Sequence, residues 1–312
     1  MGRREKLLGF GLVFTGTALF ASKAIFIKLA YADNPDSLLM LVWRMIFSMP
    51  LFIATGAFAL RFRGGARKLA ANRRLAVKAC LAGLVGYYLA MALDFESLVH
   101  VSAQLERLAL FTYPIFLFIL GAAFFGEKLT LGHAVSALLT YTGLAFVFID
   151  DWSVSSGNVV LGTALAIGAA ISFAVYQLMA KPIITAIGSL LFTSIALTSA
   201  SIASLAHFIV VRGLNFDATP RFLALAAATA VIATVIPSYF VNAGMGRIGA
   251  SSTAMISTLS PLVTIVFAVL LLGERFGLTD AAGTLLILIG VGYHSWRELR
   301  AAGVQTVESN AT

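Results

Sequence analysis

The chain has 312 residues, of which 60% are hydrophobic and 12% are charged, and its formal net charge is +8. Together with a mean hydropathy of +0.94, this composition excludes a water-soluble enzyme and predicts a membrane protein. Each spanning helix needs about 20 mostly apolar residues, and the chain supplies that length many times. The alternation of apolar and polar residues expected of a membrane β-barrel is not seen. The single cysteine, Cys80, excludes an intrachain disulfide.

Charged residues, prolines and glycines divide the chain into ten apolar segments. These cover residues 7–30, 36–60, 75–93, 97–125, 130–150, 157–180, 185–211, 221–243, 249–272 and 278–296. The first segment is longer than the apolar core of a signal peptide and no small-residue cleavage site follows it, so we interpret it as a retained helix.

Basic residues are distributed unevenly between the loops. If the N-terminus is cytoplasmic, most lysines and arginines lie on the inner side of the membrane. The outer loops then hold Arg212, Arg221 and Arg275 beside Asp33, Asp36, Asp94, Glu96, Asp150 and Asp151. The positive-inside rule therefore predicts cytoplasmic termini and an inner, cytoplasmic membrane location. Because topology accounts for the basic charge, we expect no nucleic-acid partner.

A short motif occurs twice in the chain. Gly126-Glu127-Lys128 returns as Gly273-Glu274-Arg275, and the same offset of 147 positions relates Pro114 to Pro261 and Gly143 to Gly290. Such repetition indicates a duplicated architecture. Five helices per copy is an odd number, so the second copy enters the membrane from the opposite side.

These observations predict an all-α membrane protein with ten transmembrane helices arranged as two inverted five-helix repeats. We place the first repeat at residues 1–152, the second at 153–300, and a flexible tail at 301–312. Inverted repeats are typical of secondary transporters, which expose a site near the membrane midplane to alternate sides.

The paired pattern of a mid-helix proline, a Gly-Glu-Lys/Arg motif and a glycine late in the next helix resembles the drug/metabolite transporter superfamily. More narrowly it resembles the ten-helix EamA-type transporters and is similar to the amino-acid exporters of the YddG group. The resemblance covers nearly the whole chain and implies an exporter of small metabolites. Many EamA-type members have small or apolar residues before the proline of helix 4, whereas this chain has Gln104-Leu105-Glu106-Arg107.

Charged residues inside the apolar segments each cost about 2.5 to 3.5 kcal/mol at a helix centre on insertion scales. Counting inward from the predicted outer ends places Lys23, Arg44, Glu106 and Arg107 at a similar depth, roughly 12 to 15 Å below the surface. Such a layer could hold a substrate carboxylate at Arg44 or Lys23, with Glu106 available for an ammonium group or a coupled proton. The alternative is that Glu106 pairs with Lys23 or Arg107 and only joins helices.

Aromatic residues and prolines complete the candidate site. The aromatic residues that we assign to a substrate pocket are Trp43, Tyr87, Tyr88, Tyr176 and Tyr239, although ordinary helix packing would also explain them. The prolines that we assign to hinges are Pro50, Pro114, Pro237 and Pro261, each of which removes a backbone hydrogen bond.

The sequence offers little support for an enzyme. The string Gly244-Met245-Gly246-Arg247-Ile248-Gly249 has dinucleotide-motif spacing, but it follows a membrane helix rather than a strand. No metal-ligand cluster, ATP site or nucleophile motif is found, so we expect no metal, cofactor or catalytic residue. We therefore predict a transporter of small metabolites such as amino acids, working by alternating access in the lipid bilayer, as a monomer. A drug, sugar or nucleotide-sugar carrier, or a non-transporting scaffold, remains the alternative.

Overall fold

In the computed structural model, the chain is described at residues 3–65, 67, 69, 72–125, 131–154, 157–241, 243–244, 247, 256 and 259–309. This part of the chain is helical and contains no strand. Eight helices are long and apolar enough to cross a membrane, and two more are apolar but shorter. The first copy of the repeated motif, Gly126-Glu127-Lys128, lies outside the described residues.

We number the ten apolar helices in chain order as spans 1 to 10. Spans 1 to 5 cover Leu7–Tyr31, Ser37–Phe62, Arg74–His100, Ala103–Phe124 and Ala134–Trp152. Spans 6 to 8 cover Val159–Ile187, Ser189–Arg212 and Pro220–Val241, and the shorter spans 9 and 10 cover Ser260–Leu272 and Leu278–Tyr293. The helix of span 10 itself extends as Leu278–Ser309.

Four of the spans start at side-chain caps at one end of the bundle, which we call the distal end because it lies opposite both chain termini. The side chains of Asp36, Ser102, Asn158 and Thr219 each accept a hydrogen bond from the backbone N–H three residues later. Such caps satisfy N–H groups that have no partner inside the helix. They fix where spans 2, 4, 6 and 8 begin.

Span 3 is longer than the sequence predicted. The predicted segment ended at residue 93, which left Asp94 and Glu96 in an outer loop, but the helix continues to His100 and span 4 starts at Ala103. The prediction was wrong because Asp94 does not need water: its carboxylate is buried against the ammonium of Lys23.

Several spans are interrupted. Span 1 is divided at Ser22 into the helices Arg3–Ala21 and Lys23–Tyr31, and span 4 is divided into Ala103–Leu110 and Tyr113–Phe125. Spans 3 and 8 each contain a π-helical turn, at Leu84–Leu89 and Val231–Val235. These two turns start 147 positions apart, so the duplication extends to the backbone hydrogen-bond register.

The packing of the spans also follows the duplication. Span 5 packs on span 10 and span 2 on span 7, and the contact of span 1 with span 8 matches that of span 6 with span 3. A Cβ added to Gly143 would lie 2.4 Å from the carbonyl oxygen of Gly283, and one added to Gly290 would lie 2.8 Å from that of Ser136. These two contacts are exchanged by the 147-residue offset. Since each half contributes five spans, the halves run through the membrane in opposite directions.

Candidate functional site

A cavity of about 240 Å³ lies where spans 1, 3, 4, 6 and 9 meet. Its lining residues are Lys23, Gly86, Tyr87, Ala90, Met91, Asp94, Arg107, Leu110, Phe111, Tyr113, Phe173 and Ser260. We call it the central cavity. One part of its wall is charged and the other is aromatic, so it suits a solute with a polar end and an apolar body.

Lys23 joins two buried carboxylates in the charged part of the wall. Its ammonium contacts Asp94 directly and lies 3.5 Å from Oε1 of Glu106. The Lys23 side chain is 14% exposed, whereas those of Asp94 and Glu106 are 4% and 0% exposed. Spans 1, 3 and 4 are therefore joined by one cation.

Glu106 is buried behind the cavity, beside the carboxyl group of Asp94. Within the described part of the chain, neither of its carboxylate oxygens has a hydrogen-bond partner, and the same holds for Oδ1 of Asp94. Buried polar groups are normally satisfied, and each exception calls for an explanation such as a proton, an ion or a catalytic role. The charges that act on Glu106 are those of Asp94, Lys23 and Arg107.

Arg107 is positioned by the interruption of span 1. Its Nη2 donates to the carbonyl oxygen of Phe20 at 3.2 Å, and its Nε donates to Oγ1 of Thr264 at 3.1 Å. The Thr264 hydroxyl donates in turn to the carbonyl oxygen of Ala21 at 3.1 Å. The helix Arg3–Ala21 thus ends with its last carbonyls satisfied by spans 4 and 9, and with a cation at its negative end.

Arg44 lies next to the central cavity but does not line it. Its Nε and Nη2 donate to Oγ1 of Thr234 at 3.1 and 2.9 Å, and its Nη1 contacts Sδ of Met91 at 2.8 Å. The guanidinium also lies over the ring of Phe95, 5.3 Å from the centroid. Span 2 is held in this way against spans 3 and 8, and Arg44 reaches the cavity only through Met91.

The layer of charges at this level contains one more carboxylate than the sequence predicted. Lys23, Arg44 and Arg107 oppose Asp94 and Glu106, which leaves a formal excess of one positive charge. The spacing of Tyr87, Met91 and Asp94 could have placed Asp94 on the cavity side of span 3, because residues spaced by three or four along a helix share one face. The apolar segment was instead ended at its first acidic residue.

Tyr87 forms part of the aromatic wall, with Tyr176 behind it. The Tyr176 hydroxyl donates to that of Tyr87 at 3.0 Å, and the ring centroids are 4.9 Å apart. Gly86 makes this possible, because a Cβ there would lie 2.2 Å from the Tyr176 ring. Phe173 stacks on Tyr176 and meets Tyr113 edge to face.

The other predicted aromatic residues lie away from the cavity. Trp43 donates from Nε1 to the carbonyl oxygen of Phe216 in the distal loop between spans 7 and 8. Tyr88 bonds to Nδ1 of His207 on span 7 at 2.8 Å. Tyr239 is 37% exposed on the outer surface of the bundle.

The predicted hinge prolines occupy different positions in their helices. Pro50 lies inside the continuous helix Ser37–Phe62, and Pro237 follows the π-helical turn of span 8. Pro114 and Pro261, which the 147-residue offset relates, lie in the first turns of Tyr113–Phe125 and Ser260–Phe267. Movement at these four residues stays a prediction.

The described residues contain no group of three or more His, Cys, Asp or Glu side chains that could hold a metal ion. The charged side chains of the central cavity are instead paired with one another or with backbone and hydroxyl groups.

Comparisons with known proteins agree with this architecture. The profile of the EamA-like transporter family matches residues 7–149 and again residues 160–295. The chain is 30% identical over 301 residues to the uncharacterized transporter YcbK of Bacillus subtilis, covering 93% of this chain and 94% of YcbK. It is 21% identical to the uncharacterized transporter sll1319 of Synechocystis, covering 94% of each.

A solved protein structure shares the fold, with a TM-score of 0.58 at 18% identity over 96% of this chain and 99% of the other. The double match of one family profile, once to each half, corresponds to the duplication seen in the packing of the spans. The chain belongs to the EamA-like transporter family, within the drug/metabolite transporter superfamily, and is a multi-pass membrane transporter.

Proposed function

We propose that this protein is a secondary transporter that exports small metabolites such as amino acids by alternating access, in an inner membrane with both termini in the cytoplasm. The observation that carries the proposal is the central cavity, which combines the paired charges of Lys23 and Asp94, the nearby cation of Arg107, and an aromatic wall. A zwitterion can bind with its carboxylate at the cations and its ammonium at Asp94. Tyr87 and Phe173 would then contact its side chain.

The size of the cavity favours a small solute over a drug. Its volume of about 240 Å³ is below the range of about 300 to 1,000 Å³ in which pockets for drug-sized ligands fall. A sugar would find few hydrogen-bonding groups on the aromatic wall. These are the reasons for placing amino acids ahead of the other solutes that transporters of this superfamily carry.

Transport into proteoliposomes tests the proposal. Labelled amino acids, sugars and cationic drugs are offered with and without a pH gradient, and competition among them is measured. We expect amino acids to accumulate and to compete with one another. If none of these solutes accumulates or exchanges, the proposal is wrong, and accumulation of sugars or drugs alone would reassign the substrate.

A substitution that fills the central cavity can be compared with the same substitution on the outer surface of the bundle. Ala90 lines the cavity on span 3, whereas Ala54 faces outward from span 2. Ala90→Leu adds an isopropyl group to a space that holds only a small solute, so we expect it to abolish transport. Ala54→Leu makes the same chemical change on the outer surface and should leave transport within about twofold of the unmodified protein. Equal transport by the two variants would remove the central cavity from the pathway.

We also propose Glu106 as the site of a coupled proton. The carboxylate is fully buried, accepts no hydrogen bond from a described residue and shares the ammonium of Lys23 with Asp94 through a longer ion pair. A proton on Glu106 would leave Lys23 to Asp94 alone, so protonation and the charge of the site are linked. Glu106→Gln should retain exchange of labelled solute but lose its dependence on the pH gradient. An unchanged pH dependence would assign Glu106 to helix joining.

A further inference from the structure

The repeated motif has one copy in the described part of the chain, and that copy connects the two halves. Glu274 lies in the distal loop between spans 9 and 10. Its Oε1 accepts a hydrogen bond from the backbone N–H of Ala103 at 2.8 Å, and its Oε2 accepts one from that of Gln104 at 3.3 Å. The second half therefore holds the first turn of span 4, which belongs to the first half.

Glu274 supplies hydrogen-bond acceptors for the first backbone N–H groups of span 4. The first N–H groups of a helix have no partner within it, and they carry partial positive charge. Here Leu105 N–H is satisfied by the Ser102 hydroxyl and Ser102 N–H by Asp151, so Glu274 completes the set. A carboxylate suits this position better than a neutral group because of the helix dipole.

The backbone conformation on either side of Glu274 directs its side chain toward the start of span 4. Gly273 ends span 9 in the left-handed region at φ 67°, a conformation that glycine adopts without strain. The N–H of Glu274 donates back to the carbonyl oxygen of Ala268. A second contact crosses at the same place, since Nε2 of Gln104 donates to the carbonyl oxygen of Arg275 at 2.9 Å.

Two separate cavities lie near the helix that Glu274 holds. A distal vestibule of about 410 Å³ is lined by Gln104, Glu274 and Lys28 among others, and no described residue lines both it and the central cavity. The helix that Glu274 holds carries Glu106 and Arg107 of the candidate site in the same two turns. A displacement of its first turn would therefore also move Glu106 and Arg107.

Lys28 offers the carboxylate an alternative partner. It lines the same vestibule as Glu274. Within the described residues no carboxylate lies within 4.0 Å of its ammonium, so it is not committed to an ion pair. Lys28 is therefore available as an ion-pair partner for a carboxylate that leaves the helix start.

We propose that Glu274 is the distal latch of the transport cycle: bound to Ala103 and Gln104 it keeps span 4 closed over the central cavity, and transferred to Lys28 it allows the distal side to open. The proposal rests on the proposed function. It makes Glu274 a positioning residue, which acts through span 4 and does not touch the solute.

Thiol accessibility tests the latch without any substrate. In a Cys80→Ala background, Ser260→Cys places one thiol in the central cavity. A membrane-impermeant maleimide is applied to the distal side in spheroplasts and to the opposite side in inverted vesicles.

Glu274→Gln should raise labelling from the distal side roughly fivefold, the effect of losing about 1 kcal/mol of capping, and should lower labelling from the other side. Asp217→Asn removes another distal carboxylate, one that is exposed and outside the vestibule, and should change neither rate.

Two further results complete the test. Lys28→Met removes the alternative partner, so distal labelling should fall, and this variant keeps the proposal testable if Glu274→Gln is poorly expressed. Unchanged labelling in Glu274→Gln, or a rise from both sides, would overturn the latch, because general loosening has no sidedness. Failure of the transport assay with sided labelling intact would instead overturn the proposed function and leave the latch standing.

Discussion

Replacing Lys23 by methionine tests whether the cation shared by Asp94 and Glu106 holds spans 1, 3 and 4 together. Methionine keeps an unbranched stem of similar length and removes the charge. The change leaves two carboxylates facing each other, with side chains 4% and 0% exposed. Removing one partner of a buried ion pair typically costs about 3 to 5 kcal/mol, because the remaining charge is uncompensated. We expect a loss of that size in the free energy of unfolding.

Lys28 is the matched control on the same helix. Lys28→Met removes an identical side chain five residues further along, where no ion pair is formed among the described residues, and should cost less than about 1 kcal/mol. The free energy of unfolding is measured for both variants by titration with a denaturing detergent in mixed micelles. The double variant Lys23→Met with Asp94→Asn measures the coupling energy between Lys23 and Asp94, since the neutral amide no longer requires the cation.

The combination of results decides the interpretation. If the shared ion pair is correct, Lys23→Met with Asp94→Asn loses at least about 1 kcal/mol less than the sum of the single changes. Equal losses for Lys23→Met and Lys28→Met would refute the reasoning. So would strict additivity, because it would mean that Lys23 and Asp94 are adjacent without being energetically linked.

Two other contacts give predictions of the same kind. Thr234→Val removes the hydroxyl that accepts two hydrogen bonds from Arg44, so the free energy of unfolding should fall by about 1 to 3 kcal/mol. Thr234→Ser keeps the hydroxyl and should stay near the unmodified protein. Equal losses for the two variants would show that the hydroxyl is not what holds Arg44. Gly143→Ala places a Cβ 2.4 Å from the carbonyl oxygen of Gly283 and should cost about 1 to 3 kcal/mol by separating spans 5 and 10. Gly11→Ala, with no atom within 4 Å of the added Cβ, should be neutral or slightly stabilising in the same thermal or detergent unfolding assay, and a larger loss there would contradict the packing argument.

The helical membrane architecture could be predicted because it depends on quantities that sequence carries directly. Apolar length determines which segments can cross a bilayer, and an unbroken offset of 147 positions identifies the duplication. The close contacts of Gly143 and Gly290 then follow from the same offset. Glycines at equivalent positions of paired helices allow the backbones to approach, and the structure shows both approaches.

The candidate site was only partly predictable because polarity in a membrane depends on partners. Asp94 follows an apolar run and was assigned to a loop, yet the helix continues since Lys23 reaches it from span 1. Trp43 and Tyr88 adjoin Arg44 and Tyr87 in sequence but point toward other spans. Neighbours on a helix differ by about 100° in direction, so proximity in sequence does not place two residues in one pocket. The π-helical turns and the break at Ser22 are matters of hydrogen-bond register, which composition does not encode.

The duplicated halves share features of their helix backbones but differ in their buried charged residues. Among the described residues, the features retained in both halves are the π-helical turns and the late glycines, which belong to the helix backbones and their packing. Lys23, Asp94 and Arg44 correspond at the 147-residue offset to Ala170, Val241 and Leu191, so this charged layer belongs to the first half alone. A symmetric frame allows two related conformations of similar energy, whereas a solute needs one oriented set of charges. Under the proposed alternating-access cycle, we expect the central cavity to bind its solute in a single orientation, with the charged end toward spans 1 and 3, while the symmetric contacts around it exchange.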